Sequence, residues 1–191
     1  MINTETTQAR QRQGKPAAEH VPANIHVVFS ARPADFNQAL LAGFLEHQHD
    51  ADIKRTHLFN GRYENIYLTP RQVPEIRELL EEACDHASRI LDIDQLQAGC
   101  WFNHMPPGAV TTRHSHDDDD ELLSAVYYVS VPENSGKLII HQHGRQHEVT
   151  PQAGKFVFFP PDVVHEVSKN MSSHDRLSIA INFGKRRHDN R

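Results

Sequence analysis

Nothing constrains this chain more than the change of period after Asp94. From there on, apolar residues fall in short alternating runs at 97–105, 111–116, 122–131, 137–141, 147–149, 155–159, 163–168 and 176–183. Alternation at period two marks a strand with one buried face. Turn formers separate the runs: Pro106-Pro107-Gly108, Pro132-Glu133-Asn134, His143-Gly144, Pro151 to Gly154, Pro160-Pro161-Asp162 and Met171 to Ser173. Eight short strands behind two helices predict an α+β, mainly β chain. The expected architecture is a jelly-roll or double-stranded β-helix, with both helices packed on the outer face of one sheet.

The first half reads differently. Residues 1–23 are almost devoid of apolar side chains and are expected to form a disordered arm. Residues 25–30 read as a first strand. A helix opens at Pro33-Ala34-Asp35, with Phe36, Leu40, Leu41, Phe44 and Leu45 on its stripe. The polar stretch 47–62 reads as a loop with an Asn-Gly turn, and 63–68 as a short strand. A second helix is expected from Val73 to Ile90, with Thr69 as its cap and a stripe of Ile76, Leu79, Leu80, Ala83, Ala87 and Ile90. The expected organisation is one domain over 24–184, with a helical part at 33–94 and a barrel core at 97–184. A basic tail follows at 185–191.

Composition limits the function classes. A net charge of −5 over 191 residues leaves no basic footprint for nucleic acid, and the Lys185-Arg186-Arg187 cluster sits in the tail. No apolar run is long enough for a membrane helix, and the N-terminus has no signal-type apolar segment. The two cysteines, Cys84 and Cys100, form no Cys-x-x-Cys pair, which suits a reducing cytoplasm. The expected partner is a small molecule, not a nucleic acid or a membrane; the oligomeric state is open, a homodimer included.

Histidine is the outlier, at 15 residues. His114 and His116 are one residue apart in a strand-type run, so their imidazoles share one sheet face, as two ligands of one metal must. His165, in a later strand behind Pro160-Pro161, is the best third ligand. Three imidazoles on one side of an ion leave positions open for chemistry. A bare His-x-His in a histidine-rich chain is as readily a surface pair, and His47-x-His49, at a helix end, is read that way. The acidic run Asp117 to Glu121 reads first as a solvated loop; it could also recruit a cationic substrate or orient a ligand imidazole.

Gly108, five residues, His114-x-His116, four residues and Glu121 resemble the first motif of the cupins. Gly154, five residues, Pro160 and then His165 resemble the second, although Asp162 stands where that motif usually has Gly and the Gly expected after Glu121 is missing. Downstream, residues 122–140, 153–167 and 175–183 resemble the small 2-oxoglutarate/Fe(II) oxygenases, whose motifs run W-x-N, H-x-H, LSG-x-YY, His and Arg-x-Ser in order. The strand around Ala125-Val126-Tyr127-Tyr128 also resembles that of prolyl hydroxylases. The resemblance covers 101–184. It implies Fe(II) held by His114, His116 and His165, and 2-oxoglutarate gripped at its distal carboxylate by Arg176, with help from Ser178 and Tyr128. Asn103, two residues after Trp101 on one strand face, is placed to touch cosubstrate or substrate; Trp101 itself is assigned to the core. By residue type alone, Arg176 is as easily a strand-end charge, and Tyr128 a core residue.

In the wider superfamily the residue at His116 is usually a carboxylate. A shifted register, His116-x-Asp118, would restore that pattern and is the second choice. The resemblance implies a dioxygenase that hydroxylates or otherwise oxidises a small molecule or amino-acid derivative, converting 2-oxoglutarate to succinate. Two alternatives remain: a cupin-type three-His metalloenzyme, dioxygenase or isomerase, with Glu121 near the metal and Arg176 turned away; and a non-catalytic jelly-roll binding protein.

Overall fold

A computed structural model describes residues 21–32, 34–115 and 120–186 of the chain. Its two helices follow from their apolar stripes. Helix α1 (Ala34–His47) buries Phe36, Leu40 and Phe44. Leu45, expected in that stripe, is 54% exposed, because one residue is about 100° of helical turn away from Phe44. Helix α2 (Glu75–Leu91) buries Ile76, Leu79, Ala83 and Ala87, with Leu80 and Ile90 packed at the margin. Glu75 and Glu78 lie in its first turn and Arg89 in its last, the signs the helix dipole favours. Thr69 does not cap α2, whose N-cap is Pro74 without a side-chain bond; the Thr69 carbonyl instead closes the preceding turn on the N–H groups of Gln72 and Val73. A Cβ on Gly43 would lie 2.9 Å from both Val73 methyls, so this glycine lets α1 approach the segment leading into α2.

Strands β1 (His26–Phe29), β2 (Lys54–Phe59), β3 (Arg62–Tyr67), β4 (Leu96–Met105), β5 (Thr111–His114), β6 (Leu123–Ser130), β7 (Leu138–Gln142), β8 (Arg145–Val149), β9 (Lys155–Phe159), β10 (Val164–Val167) and β11 (Arg176–Lys185) form two sheets. The larger runs β1-β9-β6-β11-β4-β3-β2 and the smaller β5-β10-β7-β8. Neighbours are antiparallel throughout. The last eight strands divide four to each sheet, the arrangement of a double-stranded β-helix. The fold class is therefore the α+β, mainly β one expected.

Segment 47–62 is not all loop. Residues 54–59 pair with β3 around Asn60-Gly61, both at positive φ (49° and 76°), as a two-residue hairpin turn requires. Its sequence hides the strand because this edge hairpin buries little and so carries no apolar alternation. The helical part of the chain thus includes a β-hairpin.

The two faces of the large sheet do different work. On β11, Leu177, Ile179, Ile181 and Phe183 pack toward the helices, with Tyr127, Phe156, Phe158 and Phe102 from neighbouring strands. Phe44 of α1 lies 5.2 Å from Phe102, ring centre to ring centre. Each such side chain contributes about 1.5–3 kcal/mol when fully buried. The alternate residues Arg176, Ser178, Ala180 and Asn182 face the other way. There, Tyr128, Val157 and Phe159 meet Leu138, Ile140 and Val149 of the small sheet in a second core.

Candidate active site

A cavity of about 440 Å³ is lined from both sheets. Its floor is a ladder set by strand register. Ser178 of β11 lies opposite Tyr128 of β6 and Asn103 of β4, so the three line one row. Arg176 pairs with Met105 in the row on one side, and Ala180 with Trp101 and Val126 in the row on the other. Asn182 and Ser124 form the next. Register breaks between Leu177 and Ser178 and again between His165 and Val167. Such irregularities re-aim side chains beside functional sites.

His114 and His165 are direct register partners on β5 and β10, with ring centres 4.4 Å apart. The Nδ1 of His114 is 2.7 Å from the Thr112 carbonyl, and that of His165 is 2.9 Å from the Val163 carbonyl. A carbonyl only accepts, so each Nδ1 carries the proton and Nε2 becomes the lone-pair nitrogen, the tautomer a metal-binding imidazole needs. His165 is buried and stands against Phe159, ring centres 4.7 Å apart. His116 and Asp118, the two choices for the remaining ligand, lie outside the described residues. Among the described residues no group of three metal-ligating side chains comes together.

Arg176 is 1% exposed and lines the cavity. Its Nη1 reaches the carbonyls of Ser135 and Gly136 at 3.5 and 3.3 Å, both long, and its Nε has no hydrogen-bond partner. Among the described residues it forms no ion pair. The guanidinium carbon lies 5.0 Å from the centre of the Tyr128 ring. Burial pushes its pKa down, while the charge and hydrogen bonding of Tyr128 oppose the shift. A buried cation without a carboxylate is costly unless a ligand brings one. Ser178 is buried beside it. Asn103 lines the same cavity, but its amide nitrogen donates to the Glu64 carbonyl at 2.8 Å and to Asn65 Oδ1 at 3.2 Å, tying β4 to β3.

Five cavity residues were not foreseen as a set. Trp101, assigned to the core, is only partly buried and lines the cavity beside Tyr67. Glu121 accepts from Asn182 Nδ2, and Ser124 donates to Asn182 Oδ1 at 3.2 Å. Counting β11 by twos from Arg176 would have reached Asn182. Tyr67 carries no comparable signal, because only the β2–β3 hairpin brings it there. The cupin alternative has Glu121 near the site and Arg176 turned away; both line the cavity.

A double-stranded β-helix with histidines on paired strands of one sheet and a buried arginine on the other defines the class to which comparison points. Residues 100–184 match the model of the 2OG-Fe(II) oxygenase superfamily, a stretch that carries the barrel core. Among solved structures, a Pseudomonas putida prolyl-4-hydroxylase is similar at 25% identity and TM-score 0.69, covering 85% of this chain and 93% of its own. The α-ketoglutarate-dependent carbocyclase SnoK of nogalamycin biosynthesis is similar in fold at 15% identity and TM-score 0.70, over 85% of this chain and 79% of its own. A Trichoplax adhaerens prolyl hydroxylase, solved with a hypoxia inducible factor peptide, has TM-score 0.68 at 15% identity, over 85% and 84%. No curated protein sequence matches the chain. Among the described residues, no helix is long and apolar enough to cross a membrane.

Proposed function

We propose that residues 24–184 form a 2-oxoglutarate/Fe(II)-dependent oxygenase unit that hydroxylates, or otherwise oxidises, a small-molecule or amino-acid-derived substrate. One observation carries this reading: Arg176 is a buried guanidinium on the cavity wall that meets the Tyr128 ring and two carbonyls at long range, and among the described residues it forms no ion pair with a carboxylate. A planar fork of that kind suits a carboxylate, taken bidentately. Ser178 and Tyr128 stand in the adjoining row, where their hydroxyls can complete the grip on the distal carboxylate of the oxo-acid.

The donor chemistry fits the metal. His114 and His165 both have Nδ1 fixed by a backbone carbonyl, which orients the ring and sets Nε2 as donor. These two would hold Fe(II) together with His116, or with Asp118 in the shifted register. Iron(II) bound there supplies dioxygen activation coupled to oxidative decarboxylation of the oxo-acid. Val126, Leu138 and Phe159 give the cavity its apolar wall and keep water from the reacting atoms. Asn103 acts by position, since its amide already holds β3 against β4.

The test is succinate formation from 2-oxoglutarate with Fe(II) and air, for the wild type and for His165→Ala. The expected result is release above the protein-free control that disappears in the variant. Wild-type protein that neither binds labelled 2-oxoglutarate anaerobically nor releases succinate would reject the assignment.

A further inference from the structure

Tyr67, Trp101, Glu121 and Asn182 line both the cavity and an adjoining groove that also takes in exposed Asp120. They therefore mark the passage between the interior and the surface. Arg176 and Asn182 are six residues apart on β11, which at about 3.4 Å per residue separates them by roughly 20 Å. The cavity is thus polarised along one strand, with a cation at one end and a carboxylate at the other.

Glu121 is held in place. It accepts from the Asn182 amide, which in turn accepts from Ser124, and its Oε2 is shielded from solvent. The donor supplied by Asn182 is a neutral amide. Beside it, the rings of Tyr67 and Trp101 meet with centres 6.0 Å apart and planes at 37°. The Tyr67 ring already attracts a cation, since Lys54 Nζ lies 4.8 Å from its centre. Aromatic faces next to a carboxylate in a partly desolvated passage are the chemistry that binds an organic cation.

We infer that the substrate enters with a cationic group, an alkylammonium or a guanidinium, held at the mouth by Glu121, Trp101 and Tyr67. The inference rests on the oxygenase reading only in taking this cavity as the reaction site. It makes Glu121 a specificity-determining residue and excludes a substrate whose leading group is anionic.

Trp101 is the one tryptophan of the chain, so its emission reports directly on the passage. The experiment titrates n-butylammonium and n-butylguanidinium, with neutral n-butylurea as control, into full-length protein. Metal-free protein is used first, then protein with Zn(II) and 2-oxoglutarate, which carries out no oxidation. The expected result is saturable change with the cations at affinities about tenfold or more above the neutral control. Glu121→Gln keeps an acceptor for Asn182 and should remove that selectivity. Equal response to charged and neutral probes in both states overturns the inference, as does full selectivity in Glu121→Gln. Succinate release without charge selectivity sinks this inference alone; charge-selective binding without 2-oxoglutarate binding sinks the oxygenase reading alone.

Discussion

Replacing Arg176 by Met should make the ligand-free protein more stable and useless for binding the oxo-acid. The guanidinium is 1% exposed, meets two carbonyls at 3.5 and 3.3 Å, and has an Nε with no partner. Desolvating an ion costs several kcal/mol, and two hydrogen bonds of such length return only part of it. Methionine is of similar reach, packs on the Tyr128 ring and carries no charge, so a gain of about 2 kcal/mol is expected. For a chain of this size that raises the melting temperature by roughly 4–8 °C. In the wild type, 2-oxoglutarate would supply the absent carboxylate; losing a buried charge pair of that kind costs about 3–5 kcal/mol, a fall in affinity of at least a hundredfold. Differential scanning fluorimetry with and without 2-oxoglutarate reads both effects. Wild type should shift upward with ligand, and the variant should start higher and not shift. A variant that melts lower and still responds to 2-oxoglutarate would refute the reasoning, since Arg176 would then be a brace.

His165→Ala should lower affinity for Fe(II) or Co(II), measured by anaerobic equilibrium dialysis, by at least about a hundredfold; comparing His116→Ala with Asp118→Asn in the same assay identifies the remaining ligand, with the loss expected at His116. Gly136→Ala should destabilise by at least about 2 kcal/mol in urea melts, because φ is +92° and the new Cβ would stand 2.2 Å from the Ser168 carbonyl oxygen. The Tyr127 hydroxyl, buried and donating to Asn37 Oδ1 at 2.6 Å, has its pKa pushed up to about 12, chiefly by burial. The unfolded chain releases that proton first, so stability should fall as pH rises from about 10 to 12, and Tyr127→Phe should flatten the fall.

The sequence by itself determined the barrel. Strand alternation depends only on which residues neighbour one another along the chain, and each of the eight barrel runs has its strand at nearly the expected place. The face of Arg176 and Ser178 was legible for the same reason, since the apolar partners Leu177 and Ile179 force them to the other side. Period counting failed where burial was slight: the β2–β3 hairpin read as loop because its edge position leaves polar side chains on both faces.

Only the tertiary structure decided what meets what. That His114 lies opposite His165 is a matter of pairing between strands fifty residues apart, and no local pattern encodes that register. Trp101 looked like core because an indole on a strand usually is; it borders the cavity because the hairpin brings Tyr67 alongside. Glu121 ended an acidic run that read as a solvated loop, and it is a cavity carboxylate because Asn182, sixty-one residues on, donates to it. Side-chain type is written in the chain, but the partner that gives it a role is supplied by contacts between distant segments, which form only when two sheets close on each other.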